Sequence, residues 1–85
     1  MSEMKEIGAV AHYFSRISVA VIELTDKVSV GDKIQIMGST TNFEQTIKSM
    51  QIEHENVTTA GSGQSIGLKV TERVREGDRV YKIVS

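Results

Sequence analysis

The sequence predicts an all-β domain, built as a small closed barrel of about six short strands. No stretch keeps apolar residues at helical spacing for the roughly ten residues that a helix needs. Short runs rich in β-branched residues recur instead, separated by turn residues. A glycine and a polar residue precede the first inward aliphatic residue of a strand three times, in Gly31-Asp32, Gly63-Gln64 and Gly77-Asp78. Closure into a barrel is favoured because it removes exposed sheet edges.

The first strand is predicted over residues 6–14 and the second over residues 17–24. The first alternates in side-chain character, with Ile7, Ala9, Ala11 and Tyr13 on one face. The second is almost continuously apolar and rich in β-branched residues, which favours a strand covered on both faces.

The middle of the chain predicts a third strand around Ile34 and Ile36, after the turn at Gly31-Asp32. A longer strand is expected over residues 43–53. Its apolar positions change parity between Ile47 and Met50, so we expect a bulge near residues 48–49.

The last part of the chain contains a polar stretch over residues 54–64 and then two predicted strands. One covers residues 66–70 and the other residues 79–84. Six residues are expected to have structural roles at turns: Gly31, Asp32, Gly63, Gly67, Gly77 and Asp78.

Length and composition limit the class of protein. The 85 residues have room for one core, so residues 1–85 are expected to form a single domain with residues 1–5 as a frayed tail. The formal net charge of −1 argues against a nucleic-acid coat protein. The absence of cysteine excludes disulfides and thiolate metal sites. We expect a cytoplasmic protein without membrane contact, because no secretory signal and no apolar run of about 20 residues occurs.

Five segments of the chain together resemble a known family, the second domain of elongation factor Tu and its relatives. They follow the family order and cover nearly the whole chain: Val30 to Ile36, Ile47 to Gln51, Val57 with Ala60, Gly63 to Leu68, and Val74 to Val80. The resemblance implies a six-stranded barrel of Greek-key type, present here as a free-standing copy. It also implies a role in contacting RNA, tRNA or a ribosome-associated protein.

Two departures from that family change what the resemblance implies. Gln64 stands where the family has an aspartate, and residues 15–18 replace a glycine-rich entry into the second strand near the tRNA-facing side. The Gly-x-x-x-x-Gly-Lys-Ser/Thr loop of a nucleotide-binding domain does not occur in the sequence, so no GTP binding is expected.

The first candidate contact site is the segment 12–16, with His12, Tyr13, Phe14 and Arg16. Aromatic rings beside a guanidinium can stack on bases while the cation meets phosphate. The alternative is that Tyr13 or Phe14 fills the core of a domain with four aromatic residues.

The second candidate is a basic strip near the C-terminus, formed by Lys69, Arg73, Arg75 and Arg79 together with Lys82. Such a strip could contact an RNA backbone. The alternative is a solvated face, because three acidic residues interleave with it and would repel phosphate: Glu72, Glu76 and Asp78.

No catalytic residues, metal site or cofactor are predicted. His12 and His54 are the only histidines, and His54 lies between glutamates that an extended strand would place on its opposite face. The sequence therefore predicts a non-catalytic translation-factor-like binding module. The alternative is an accessory domain that binds a protein partner, similar to the terminal barrel of collagenase-like peptidases.

Overall fold

Antiparallel β-strands make up the regular structure of the protein. The computed structural model describes residues 3–84, and within them it contains no helix and hence none that could span a membrane. The strands are β1 (Met4–Phe14), β2 (Val19–Leu24), β3 (Val28–Ser29), β4 (Lys33–Met37), β5 (Asn42–Thr46), β6 (Met50–Ile52), β7 (Glu55–Val57), β8 (Thr59–Ala60), β9 (Ser65–Lys69) and β10 (Arg79–Ile83).

The strands form two sheets. Eight of them pair in the order β5-β4-β10-β1-β2-β9-β6-β7, and β3 pairs with β8. The all-β prediction is therefore confirmed. The prediction of a closed six-stranded barrel is wrong, because backbone pairing leaves β5 and β7 at the two ends of the larger sheet.

The extra strands come from segments that the sequence pattern misassigned. The predicted strand over residues 43–53 is two strands, β5 and β6, and the chain leaves strand geometry between them. This break, rather than a bulge, allows both Ile47 and Met50 to be buried. The stretch predicted as a polar loop contains β7 and β8, whose short length and mostly exposed side chains give no periodic signal.

Strand β1 joins the two halves of the larger sheet. Its first part pairs with β10 and its later part with β2, and the register shifts between Glu6 and Gly8 and again between Val10 and His12. Such irregularities bend a strand and change which side chains face inward. The predicted alternation, with Ile7, Ala9, Ala11 and Tyr13 on one face, therefore fails at Ala11, which is exposed, whereas Val10 is buried.

The strand also begins earlier than predicted. Met4 and Lys5 pair with residues of β10 and do not belong to a tail, while residues 1–2 lie outside the described range. The Lys5 ammonium lies 2.6 Å from the Asp26 carboxylate. This contact and the hydrogen bond from the Lys27 backbone hold the pKa of Asp26 below its ordinary value.

The core is one cluster of apolar side chains to which nearly every strand contributes. The strands β2, β4 and β9 each bury alternate residues, as a sheet with one covered face requires. The innermost large side chains are Ile7, Ile22, Ile34, Ile36, Ile47, Met50, Ile66 and Leu68, with Val28, Val74 and Val80.

Three turns of the same construction precede β4, β9 and β10. Gly31, Gly63 and Gly77 have φ values of 97°, 86° and 93°, a conformation that glycine adopts without a steric penalty. In each turn the next side chain accepts a hydrogen bond from a backbone N–H three residues earlier: Ser29 to Asp32, Gly61 to Gln64, and Arg75 to Asp78, at 2.8, 2.8 and 2.9 Å. Gln64 thus does what aspartate does in the other two turns.

The two halves of the larger sheet are bridged by a side chain. The amide of Gln45 on β5 donates to the Lys69 carbonyl at 2.9 Å and accepts from the Thr71 backbone N–H at 2.9 Å. The side-chain amide thereby makes the two hydrogen bonds that a paired peptide group would make. Gln45 links an end strand, β5, to the end of β9, where backbone pairing is absent.

Replacing Gln45 with alanine is expected to lower the free energy of unfolding by about 1 to 2 kcal/mol, because two hydrogen bonds are lost at a partly exposed position. Urea denaturation followed by circular dichroism measures this. Gln35→Ala is the matched control, because its amide makes one exposed bond, to Asn42 at 2.6 Å. Equal stability of the two variants would contradict the bridging role.

Candidate functional site

An apolar groove of about 520 Å³ lies on the outer face of the larger sheet, over β2 and β9. We define it by Phe14, Ile17, Val19, Val21 and Gly67. Phe14 is 46% exposed and Ile17 is 60% exposed, which is unusual for side chains of this size. A contiguous apolar surface of this kind marks a binding site more often than isolated exposed aliphatic residues do.

Strand pairing places the groove residues side by side. One row across the sheet runs from Phe14 to Val19 to Lys69, and the next runs from His12 to Val21 to Gly67 to Gln51. Directly paired residues share a face. The inner face of β2 carries Ala20, Ile22 and Leu24, which are buried, whereas the outward residues Val19 and Val21 are only partly buried.

Gly67 forms the floor of the groove. A Cβ atom here would lie 3.7 Å from Val19 Cγ1 and 3.9 Å from the Gln51 carbonyl oxygen, both ordinary contacts. The position therefore has room for a side chain, and glycine leaves a hollow between Val21 and Gln51. The expected turn role of Gly67 is wrong, because the residue lies within β9.

The turns beside the groove contain strained backbone. Ser18 has φ of 56°, Glu53 of 50° and His54 of 67°, all in the left-handed region that non-glycine residues rarely adopt. Glu53 and His54 form the tight connection between β6 and β7, where a two-residue hairpin favours two positive φ values. The rim of the groove is thus held by short, conformationally defined turns.

His12 supports the Phe14 ring. The two ring centroids are 4.4 Å apart in an edge-to-face arrangement, and His12 Nδ1 lies 3.1 Å from Glu76 Oε2. Both members of this pair are more than half exposed. Solvent therefore screens the attraction between His12 and Glu76. The structural effect of this pair is to hold the imidazole ring against the Phe14 ring, beside the groove.

The predicted contact segment 12–16 is divided between two faces of the sheet. His12 and Phe14 lie on the groove side, whereas Tyr13 is partly buried and packs against the core. Arg16 is exposed in the turn after β1. Tyr13 therefore does not join a stacking platform with Phe14.

The residues of the predicted basic strip lie on two strands that do not pair and in the loop between them. Lys69 lies on β9 and Arg79 on β10, with β1 and β2 between these strands in the pairing order. Arg79 lies 3.7 Å from the Glu6 carboxylate. Arg73 and Arg75 are exposed in the loop before β10, where the Arg75 backbone N–H is held by Asp78.

No metal centre is found in the described part of the chain, since no three His, Asp or Glu side chains come close enough to hold an ion. His54 lines the groove but lies on a turn, between two exposed glutamates.

The groove residues Ile17, Val19, Val21 and Gly67 were missed by the sequence analysis. The signal for Ile17, Val19 and Val21 was the almost continuously apolar run over residues 17–24, which was assigned to a strand covered on both faces. Gly67 had no such signal. Only the inner face of β2 is fully buried, and the outward valines are half-buried.

Comparison with known proteins shows the family. A model of the Peptidase family U32 C-terminal domain matches residues 3–79. An uncharacterized protease of Methanocaldococcus jannaschii is 48% identical over 77 residues, which make up 89% of this chain and 19% of that protein. A collagenase of Porphyromonas gingivalis is 36% identical over 78 residues, covering 89% of this chain and 22% of that protein. The chain thus spans about a fifth of the length of these relatives.

Solved structures agree with this match. The C-terminal domain of a Geobacillus thermoleovorans protein assigned to the U32 peptidases superposes with a TM-score of 0.85 at 22% identity, covering 89% of each chain. Its selenomethionine variant gives the same TM-score at 20% identity, with 89% of this chain and 96% of that chain covered. At this identity the likeness establishes the fold.

These matches overturn the resemblance to elongation factor Tu. It depended mainly on Gly31, Gly63 and Gly77 and on the aliphatic residues after them, and unrelated small β-domains need the same residues at turns that lead into strands. The translation-factor-like interpretation is wrong, and the alternative is confirmed at the level of family. The chain belongs to the Peptidase family U32 C-terminal domain family.

Proposed function

We propose that this domain is a non-catalytic accessory domain of a U32-type peptidase and that it binds polypeptide in the apolar groove. The observation that carries the proposal is the groove itself, with Phe14 and Ile17 exposed on the outer face of a sheet whose inner face is fully packed. Extended peptides bind well to shallow apolar surfaces bounded by polar groups.

The relatives support polypeptide as the ligand. They are named as a protease and a collagenase, and the domain makes up about a fifth of each. An accessory domain that holds a polypeptide raises its effective concentration near a catalytic part without taking part in the chemistry.

The charges beside the groove also favour polypeptide over nucleic acid. Glu23 is exposed on β2, and Glu53 lies on the groove wall. These carboxylates would repel a phosphate backbone. The basic residues of the predicted strip, which would have favoured RNA, lie on two strands that do not pair and in the loop between them, where Glu72 and Glu76 are also exposed.

The residues present support a non-catalytic role. A hydroxyl nucleophile needs a base within hydrogen-bond reach. Within residues 3–84, the one hydrogen-bonded histidine ring is that of His12, and its partner is the exposed Glu76 carboxylate.

The test is binding of fluorescein-labelled gelatin, followed by anisotropy, with a gel assay for cleavage. The protein is expected to bind gelatin and leave it intact. Ile17→Ser is expected to weaken binding about fivefold, because part of an apolar contact is lost. Val30→Ser removes another exposed aliphatic side chain, outside the groove, and is expected to change nothing. Absence of binding, or equal effects of both substitutions, would refute the proposal.

A further inference from the structure

The groove has opposite charges at its two ends. Lys69 pairs with Val19 in the first row of the groove, and Glu23 pairs with Ser65 one row beyond Gly67. Glu53 lines the groove two residues after Gln51, which itself pairs with Gly67. The surface is therefore cationic at one end, apolar in the middle and anionic at the other.

These flanking charges are free to meet a ligand. Lys5, Lys33 and Lys82 each lie within 4.0 Å of a carboxylate. The ion pairs formed by residues 3–84 do not include Lys69, Glu23 or Glu53.

The cationic end has further positive charge around it. Arg16 is exposed in the turn that leads from β1 to β2. Lys48 and Lys69 line a neighbouring cleft of about 650 Å³. The carboxylate nearest that cleft is Glu44, which pairs with Lys33 at 3.2 Å.

The spacing of these groups matches an extended peptide. Lys69, Gly67 and Ser65 alternate along β9, so successive rows are about 6.8 Å apart and the outer rows about 14 Å apart. An extended ligand repeats on one face with the same period. Three of its residues, each two positions from the next, would lie over the three rows.

We propose that the groove selects an extended segment in which a central apolar residue has an acidic residue two positions to one side and a basic residue two positions to the other. This rests on the proposed polypeptide-binding function. The acidic residue faces Lys69, the apolar side chain enters the hollow over Gly67, and the basic residue faces Glu23 and Glu53.

Gly67 determines the fit of the central residue. Its missing side chain makes the hollow, and an added Cβ would meet only ordinary contacts. Gly67→Val therefore keeps the fold, since β-branched residues suit strands, while it fills the place of the ligand side chain.

Peptide titrations followed by ¹⁵N-¹H NMR of the whole chain test the charge pattern. The reference peptide is Gly-Glu-Ser-Phe-Ser-Lys-Gly with blocked ends. Peptides with two Glu or two Lys around Phe are expected to bind three- to fivefold more weakly, as about one exposed ion pair is lost. The peptide with Ser in place of Phe is expected to bind about tenfold more weakly. Shifts should centre on Val19, Val21 and Gly67.

Protein variants make the test specific. Lys69→Glu is expected to transfer the preference to the peptide with two Lys, because both ends of the groove are then acidic. Lys5→Glu, at the end of β1 opposite to Phe14, is expected to leave the preference unchanged. Gly67→Val is expected to lose the advantage of Phe over Ser while keeping a dispersed spectrum.

The outcomes separate this inference from the proposed function. Gelatin binding that Ile17→Ser weakens, together with equal affinity for all charge patterns, overturns the inference and leaves the function standing. Shifts confined to the end strands β5 and β7 also overturn it. Absence of binding to gelatin and to every peptide refutes both.

Discussion

Gly8→Ala is expected to lower the free energy of unfolding by about 3 kcal/mol, at the upper end of the usual cost of overpacking. Gly8 lies in β1 between Val80 of β10 and Leu24 of β2. A Cβ there would meet the Glu23 carbonyl oxygen well inside contact distance and would lie 3.1 Å from Ile22 Cγ2. The atoms that the added methyl group would meet belong mainly to the backbone of β2. The clash can therefore be relieved only if β1 and β2 move apart.

Urea denaturation of Gly8→Ala beside Gly61→Ala measures this effect. A Cβ atom added at Gly61 would have no atom within 4 Å, and the residue has no positive φ. Alanine there is therefore expected to change stability by less than about 1 kcal/mol, or to raise it. Similar midpoints for the two variants would show that β1 adapts to the methyl group.

Asp78→Ala is expected to cost about 2 to 3 kcal/mol, because it leaves a backbone donor without its partner. Asp78 is 6% exposed, and its Oδ2 accepts from the Arg75 backbone N–H at 2.9 Å. Its carboxylate also fills the space above Gly38. The substitution thus removes a cap and a packing contact from the turn that begins β10.

Asp78→Asn is the matched control, because the amide keeps an acceptor oxygen and nearly the same volume. It is expected to lose less than half as much stability as alanine, measured by thermal and urea unfolding. Equal losses for the two variants would assign the effect to the negative charge and not to the hydrogen bond.

The sequence was informative wherever a local rule decides the structure. The turns around Gly31, Gly63 and Gly77 have the positive φ that glycine permits, and the side chain that follows each glycine bonds within its own turn. Buried and less buried residues alternate along β4 and β9, because only one face of each strand packs against the core. Short-range signals of this kind predict strands and turns, but many families share them, and this led to the wrong family.

The end strands and the groove depend on contacts between distant parts of the chain. Gln45 reaches Lys69 and Thr71 across 24 and 26 residues. Gly67 becomes the floor of the groove only because β9 pairs with β2 on one side and β6 on the other. No local pattern carries this register information.

The sequence by itself therefore determined an all-β domain with three glycine turns, because alternation and backbone torsion are properties of neighbouring residues. The tertiary structure decided that the sheet stays open, that Tyr13 faces the core while Phe14 faces solvent, and that the second strand is covered on one side only. Register shifts in β1 and pairing across the sheet fix those outcomes, and both arise from packing between segments far apart in the chain.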